Sequence, residues 1–268
     1  MLREMTLGQY YQAESRLHRL DPRVKLVGTL VFIISLFISQ KIACYAVATV
    51  FLVCMIRLSK VPFSYMVRGM KAIVFIMLIT VIFNLFLTPG ETLIHFWVFT
   101  ITKEGLKNAV YTAIRLAYLI LGSTLMTLTT TPNDLTDGLE RGLGFMRVFK
   151  LPVHEIAMMM SIALRFIPIL LEETDKIMKA QQARGADFES GGLIKRARAM
   201  VPLLVPLFVS AFRRANDLAL AMEARCYHGG DGRTEMKPLS YKAWDKRAYV
   251  ILACYLALVI LLGIVSPI

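Results

Sequence analysis

At 268 residues with 56% hydrophobic side chains, the chain is more apolar than a soluble domain, whose apolar share is about 45–50%. Its 31 basic and 19 acidic residues leave a formal charge of +12, which in so apolar a chain points to cationic loops at a membrane surface and argues against a nucleic-acid partner. Four cysteines without paired spacing, Cys44, Cys54 and Cys254 in apolar runs and Cys226 in a polar one, imply neither a disulfide framework nor a zinc site.

The first 23 residues mix Glu4, Glu14 and Asp21 with Arg16, Arg19 and Arg23, unlike the basic start of a cleaved signal peptide, so the first apolar run is expected to persist. Asp21 is placed to cap that run with Pro22 at the first helical position, and Arg19, Arg23 and Lys25 are expected at the cytoplasmic headgroups. Lipid cannot hydrogen-bond a backbone, so each crossing must be a helix of about 20 mostly apolar residues. Five runs qualify: residues 24–39, 42–58, 70–87, 106–130 and 248–265. The first two are separated by Gln40 and Lys41 and are expected to form a tight antiparallel hairpin. The fourth carries Arg115 together with Gly122, Ser123 and Thr124, and is expected to face protein, with Arg115 paired to a backbone carbonyl or a carboxylate.

Arg57, Lys60, Arg68 and Lys71 flank the second loop, whereas the first offers only Lys41 and the third sets Lys103 and Lys107 against Glu91 and Glu104. Cationic loops stay inside, so the amino terminus is expected in the cytoplasm and, after five crossings, the carboxyl terminus outside. The division is then 1–130 as a membrane domain of four helices, 131–247 as a cytoplasmic module, and 248–268 as the last crossing. Residues 131–247 hold 18 of the 31 basic and 14 of the 19 acidic side chains.

Within that module Thr131-Pro132-Asn133-Asp134 starts a short helix that Gly142 and Gly144 end. A second helix opens at Pro152, is kinked at Pro168 and runs to Arg184. Its part 156–171 is apolar enough to be a sixth crossing, but Arg165, His154 and Glu155 favour the interface. After Pro202 and Pro206 a third helix runs to Arg225, with Leu204, Phe208, Ala211, Ala215, Leu218 and Met222 as its apolar stripe and Arg213, Arg214, Asp217 and Glu223 off it.

The ends of these two helices match. Asp175 lies over Asn216, Ile177 over Leu218, Ala180 over Ala221, Gln182 over Glu223, and Ala183-Arg184 over Ala224-Arg225. A cation in a last turn complements the helix dipole by about 0.3–1 kcal/mol, and Gly185 suits a position just past a helix end, yet neither explanation requires two copies. A small alanine that admits a partner wall beside a guanidinium that forks onto a carboxylate does explain them.

Gly8-Gln9-Tyr10, Ser15 through Lys25, Leu164-Arg165-Phe166-Ile167-Pro168, Gln182-Ala183-Arg184-Gly185 and Ala224-Arg225 together resemble the transmembrane T component of energy-coupling factor transporters, the vitamin and metal-ion branch of the ATP-binding cassette importers. The resemblance spans essentially the whole chain. It implies an all-α polytopic membrane protein of about five, alternatively six, transmembrane helices plus a module of long amphipathic coupling helices. It further implies that Arg184 and Arg225, with Ala183, Gly185 and Ala224, each enter a groove on one of two ATPase subunits. The second motif departs, with Cys226 where glycine would stand, which leaves open whether its turn closes there or at Gly229-Gly230.

Met158, Met159 and Met160 are either core filler or, as the resemblance implies for the apolar face that includes Leu204 and Phe208, a surface that repacks against interchangeable substrate-binding S components. The expected protein is a scaffold without catalysis or a cofactor of its own, ATP and Mg being held by the ATPase partners. One alternative is a membrane-embedded enzyme acting on a lipid or phosphate, but His18, His95, His154 and His228 are scattered and there is neither a phosphate loop nor a nucleophile elbow. A self-contained secondary transporter is another, and would call for an inverted repeat of broken spans. Vitamin and metal ion both remain open as cargo.

Overall fold

The structure is a computed structural model that describes residues 10–38, 41–96, 99–149, 152–188, 192–229 and 239–265. Expectations placed on Gly8, Gln9, Gln40 and Gly230 lie outside the described residues. The elements run α1 (Pro22–Ile38), α2 (Ile42–Ser59), α3 (Phe63–Leu87), β1 (Thr92–Phe96), β2 (Phe99–Thr102), α4 (Lys103–Thr129), α5 (Pro132–Gly142), a 3-10 segment (Leu143–Phe149), α6 (Val153–Ala183), α7 (Leu193–Glu223) and α8 (Ala243–Val265). This is an all-α polytopic membrane protein. The helices α2, α4, α6 and α8 are each long and apolar enough to cross a bilayer, while the 17 residues of α1 and the apolar stretch Ile73–Leu87 of α3 are shorter. Seventeen residues rise about 26 Å, so α1 would cross only with local thinning or snorkelling ends.

Contacts divide the chain into two units, one of Gly8–Gly138 with Leu239–Ile268 and one that includes Leu139–Pro238. In the first, local signals start the helices as expected. The Asp21 carboxylate accepts the Arg23 backbone N–H at 2.9 Å, and the Thr131 hydroxyl accepts that of Asp134 at 3.1 Å. α1 touches α2 but packs more heavily on α8 and α4. The reason is shape, since Gly122 of α4 lets the Phe32 ring of α1 approach to where a Cβ would stand 2.8 Å from it. Phe32, Leu52, Leu125, Tyr255 and Val259 belong to the buried cluster around that contact.

Two side chains make contacts that the sequence does not announce. The Lys25 ammonium donates to the carbonyls of His18 at 3.1 Å and Thr129 at 2.8 Å, tying α1 to the end of α4. Arg115 finds neither a carbonyl nor a carboxylate among the described residues. Its Nε donates to the Tyr45 hydroxyl at 3.1 Å, and its guanidinium lies 5.2 Å from the Phe37 ring centroid, so aromatic faces and a phenol take the role expected of an anion. Between α3 and α4, β1 and β2 form an antiparallel hairpin that helix-length periodicity does not announce.

The second unit is dominated by α6 and α7, which pack on each other. Whereas α7 was expected only after its prolines, it starts at Leu193 and contains Pro202 and Pro206. Proline removes a helical donor, so Pro206 cannot bond the carbonyl four residues back, that of Pro202. The Gln181 side-chain amide of α6 donates to this carbonyl at 3.4 Å, giving it a partner in place of the missing backbone donor.

Candidate functional site

The end of α6 is closed by two backbone bonds. Gly185 N–H donates to Gln182 C=O at 2.9 Å and Ala186 N–H to Gln181 C=O at 3.0 Å, with Gly185 in the left-handed region at φ 89°. This is a Schellman turn, in which the residue just past the end must be left-handed so that the chain reverses onto the last carbonyls.

The end of α7 repeats it residue for residue. Cys226 N–H donates to Glu223 C=O at 2.8 Å and Tyr227 N–H to Met222 C=O at 3.1 Å, and Cys226 takes φ 55°. The turn thus closes at Cys226, and Gly229, also left-handed at φ 106°, lies beyond it. A non-glycine residue in this region costs about 1–2 kcal/mol. His228 Nδ1 lies 2.7 Å from the Cys226 carbonyl and, as its donor, holds that peptide in place.

Ala183, Arg184, Gly185, Ala224, Arg225 and Cys226 are all exposed, and neither arginine is ion-paired among the described residues. Arg184 N–H bonds back to Ala180 and Gln181 carbonyls, so its backbone is held while its side chain is left outward. The arrangement offers two guanidinium groups on rigid, like-built stalks.

Glu173 of α6 cross-braces the two stalks. One of its carboxylate oxygens accepts the Ser210 hydroxyl at 2.5 Å, and the other accepts Arg214 Nε at 3.2 Å and a terminal guanidinium nitrogen at 2.8 Å. Sequence reasoning missed this brace. The signal was present, because Glu173 and Arg214 are opposite charges at equivalent positions of the repeat, each eleven residues before the arginine at its helix end.

The expected stripe on α7 splits in two. Ala211, Leu218 and Met222 are half-buried with Ser210 and Arg214, whereas Leu204 and Phe208 stand exposed at 45% and 61% beside Val205, Val209 and Phe212. On α6, Met158 is half-buried, and Met159 and Met160 are exposed. An apolar ridge this continuous on a helix whose opposite side is already packed is a contact surface for protein or lipid.

The model of the cobalt transport protein family, CbiQ, matches residues 13–236, a stretch that includes both helix ends. The energy-coupling factor transporter transmembrane protein EcfT of Clostridium kluyveri is 51% identical over 261 residues, 97% of this chain and 96% of its own length. Similar proteins of that name from Thermosediminibacter oceani, 50% identical over 93% of this chain and 94% of theirs, and from Bacillus subtilis, 46% identical over 98% and 99%, align across nearly their whole lengths.

Proposed function

Since this chain belongs to the family of energy-coupling factor transporter transmembrane proteins, we propose that it is the joint of an ATP-driven importer, linking two ATPase subunits to one membrane-embedded substrate-binding S component. Arg184 and Arg225 each enter a groove on one ATPase and fork onto a carboxylate there, with Ala183 and Ala224 admitting the groove wall and Gly185 and Cys226 turning the chain away. Losing one partner of such a buried interfacial pair costs about 2–5 kcal/mol, enough to transmit work and far above a dipole effect. ATP and Mg²⁺ belong to the ATPases, and this chain performs no catalysis. The helix ends face the cytoplasm, with the amino terminus inside and the carboxyl terminus outside.

When the ATPases close, the two arginines move relative to one another and the stalks shift with them. The exposed ridge of Leu204 and Phe208, with Met158, Met159 and Met160, grips the S component and tilts it so that its site opens inward. The cargo, a vitamin or a transition-metal ion, is chosen by that component. The observation that carries this reading is the pair of identically closed helix ends presenting exposed arginines. It is tested by purifying the complex with Arg184→Ala, Arg225→Ala and both. Assembly and uptake fall with each and most in the double variant; normal uptake from the double variant at normal expression overturns the joint.

A further inference from the structure

Within the unit of residues 8–138 and 239–268, α1, α2, α4, α8 and the segment before α1 line a cavity of about 650 Å³. Its lining is sharply segregated. At the end where α1 and α8 begin, the lining carries the cations Arg16, Arg19, Lys25, Lys242 and Arg247 and one carboxylate, Asp245, with Asp21 and Asp134 also acting on Lys25. Above them the walls are apolar, with Gly28, Phe32, Phe51, Leu125 and Leu252. From Lys25 to Phe32 the helix rises about 10 Å at 1.5 Å per residue, so the apolar lining runs along α1 for that length.

Among the described residues none of these cations is in a buried ion pair. Asp245 is occupied by backbone donors, accepting the N–H of Asp21 at 2.9 Å and of Lys242 at 2.7 Å. Among the described residues Arg19 pairs with Glu14, and the side chains of that pair are 76% and 91% exposed, so water screens it. Lys25 gives two of its three donors to carbonyls and has one left. Arg16 and Arg247 both lie on Trp244, at 5.9 and 5.1 Å from its ring, and neither is ion-paired among the described residues. Both therefore keep guanidinium donors for an anion at this rim. Leu58, Trp244 and Ile251 line the cavity and are also exposed at 45%, 59% and 54%, so it communicates with the surface.

A free phosphate would satisfy the cations and leave the walls wet, and a neutral hydrocarbon would do the reverse. We propose that the cavity binds one anionic glycerophospholipid, its phosphate at Arg16, Arg247 and Lys25 and an acyl chain in the slot between Phe32 and Leu252. A zwitterionic lipid brings its own ammonium to this cationic rim and is disfavoured. The site goes beyond the coupling function and does not depend on it.

The full-length chain in detergent micelles is titrated with phosphatidylglycerol and with phosphatidylcholine of the same acyl chains, and bound lipid is counted by native mass spectrometry. One phosphatidylglycerol binds at least tenfold more tightly than phosphatidylcholine, and the preference shrinks as salt is raised. In Arg16→Ala with Arg247→Ala the preference falls below threefold. Met126→Trp, which fills the slot and keeps both arginines, weakens both lipids more than tenfold, and thermal melts confirm that each variant is folded. Equal affinity of wild type for the two lipids overturns the site, as does an unchanged preference in the double variant. Displacement of the lipid by glycerol phosphate at lipid-like concentrations assigns the site to a free anion and overturns it too.

Discussion

Glu173 and Arg214 stand at equivalent positions of two matched helices and bond to each other at 2.8 Å. Each lies about 16 Å along its helix from the arginine at the end, at 1.5 Å per residue. The brace therefore sits at the same distance along each helix from its end. That symmetry is what the proposed joint between two ATPases calls for.

Glu173→Gln keeps the volume and removes the charge. Because the Arg214 side chain is 40% exposed, the loss in stability is small, about 0.5–1 kcal/mol. ATP-driven uptake falls by more than this implies, since the stalks no longer move together, and the exchanged pair Glu173→Arg with Arg214→Glu recovers much of it. Melting temperature and uptake measured on the same preparations separate the two effects; uptake that tracks stability alone argues against a brace.

The two helix ends should respond oppositely to substitution at their left-handed residue. Cys226→Gly removes the backbone penalty and stabilises the turn by up to about 1 kcal/mol, whereas Gly185→Ala introduces it. Nothing lies within 4 Å of a Cβ at Gly185, so the cost there is conformational and not a clash. Hydrogen exchange at the Tyr227 and Ala186 amides, which close the two turns, slows in the first variant and quickens in the second.

His18 makes the amino-terminal segment sensitive to acid. Its Nε2 donates to the Tyr11 carbonyl at 3.0 Å, and its Nδ1 lies 2.6 Å from the Ser15 hydroxyl. Burial, aided by the nearby Lys25 charge, holds its pKa below the ordinary 6.5. The unfolded chain then takes up the proton first as pH falls. This stability is complete above pH 6.5 and is lost as pH drops through the lower folded value. Melts between pH 8 and pH 5 show the decline, and His18→Gln flattens it.

Lys25→Met tests the tie between α1 and α4. It keeps most of the apolar stem and leaves the His18 and Thr129 carbonyls without their donor, a loss of about 1–3 kcal/mol. Melting of the purified variant gives the value, and a change below a few tenths of a kcal/mol means water replaces the ammonium.

Much of this protein is local and was readable as such. Apolar run length shows that the chain lives in a membrane, Asp21-Pro22 and Thr131-Pro132 start helices through bonds spanning two or three residues, and the doubled Ala-Arg ending is visible by laying one segment on the other. What joins distant segments was not. That Lys25 reaches Thr129, that Arg115 takes Tyr45 and Phe37 in place of an anion, and that Glu173 finds Arg214 depend on which helices abut. Nearly every span here is apolar on all sides, so periodicity cannot say which face meets which neighbour. Close contacts such as Gly122 against Phe32 decide it, and only the packed structure contains them.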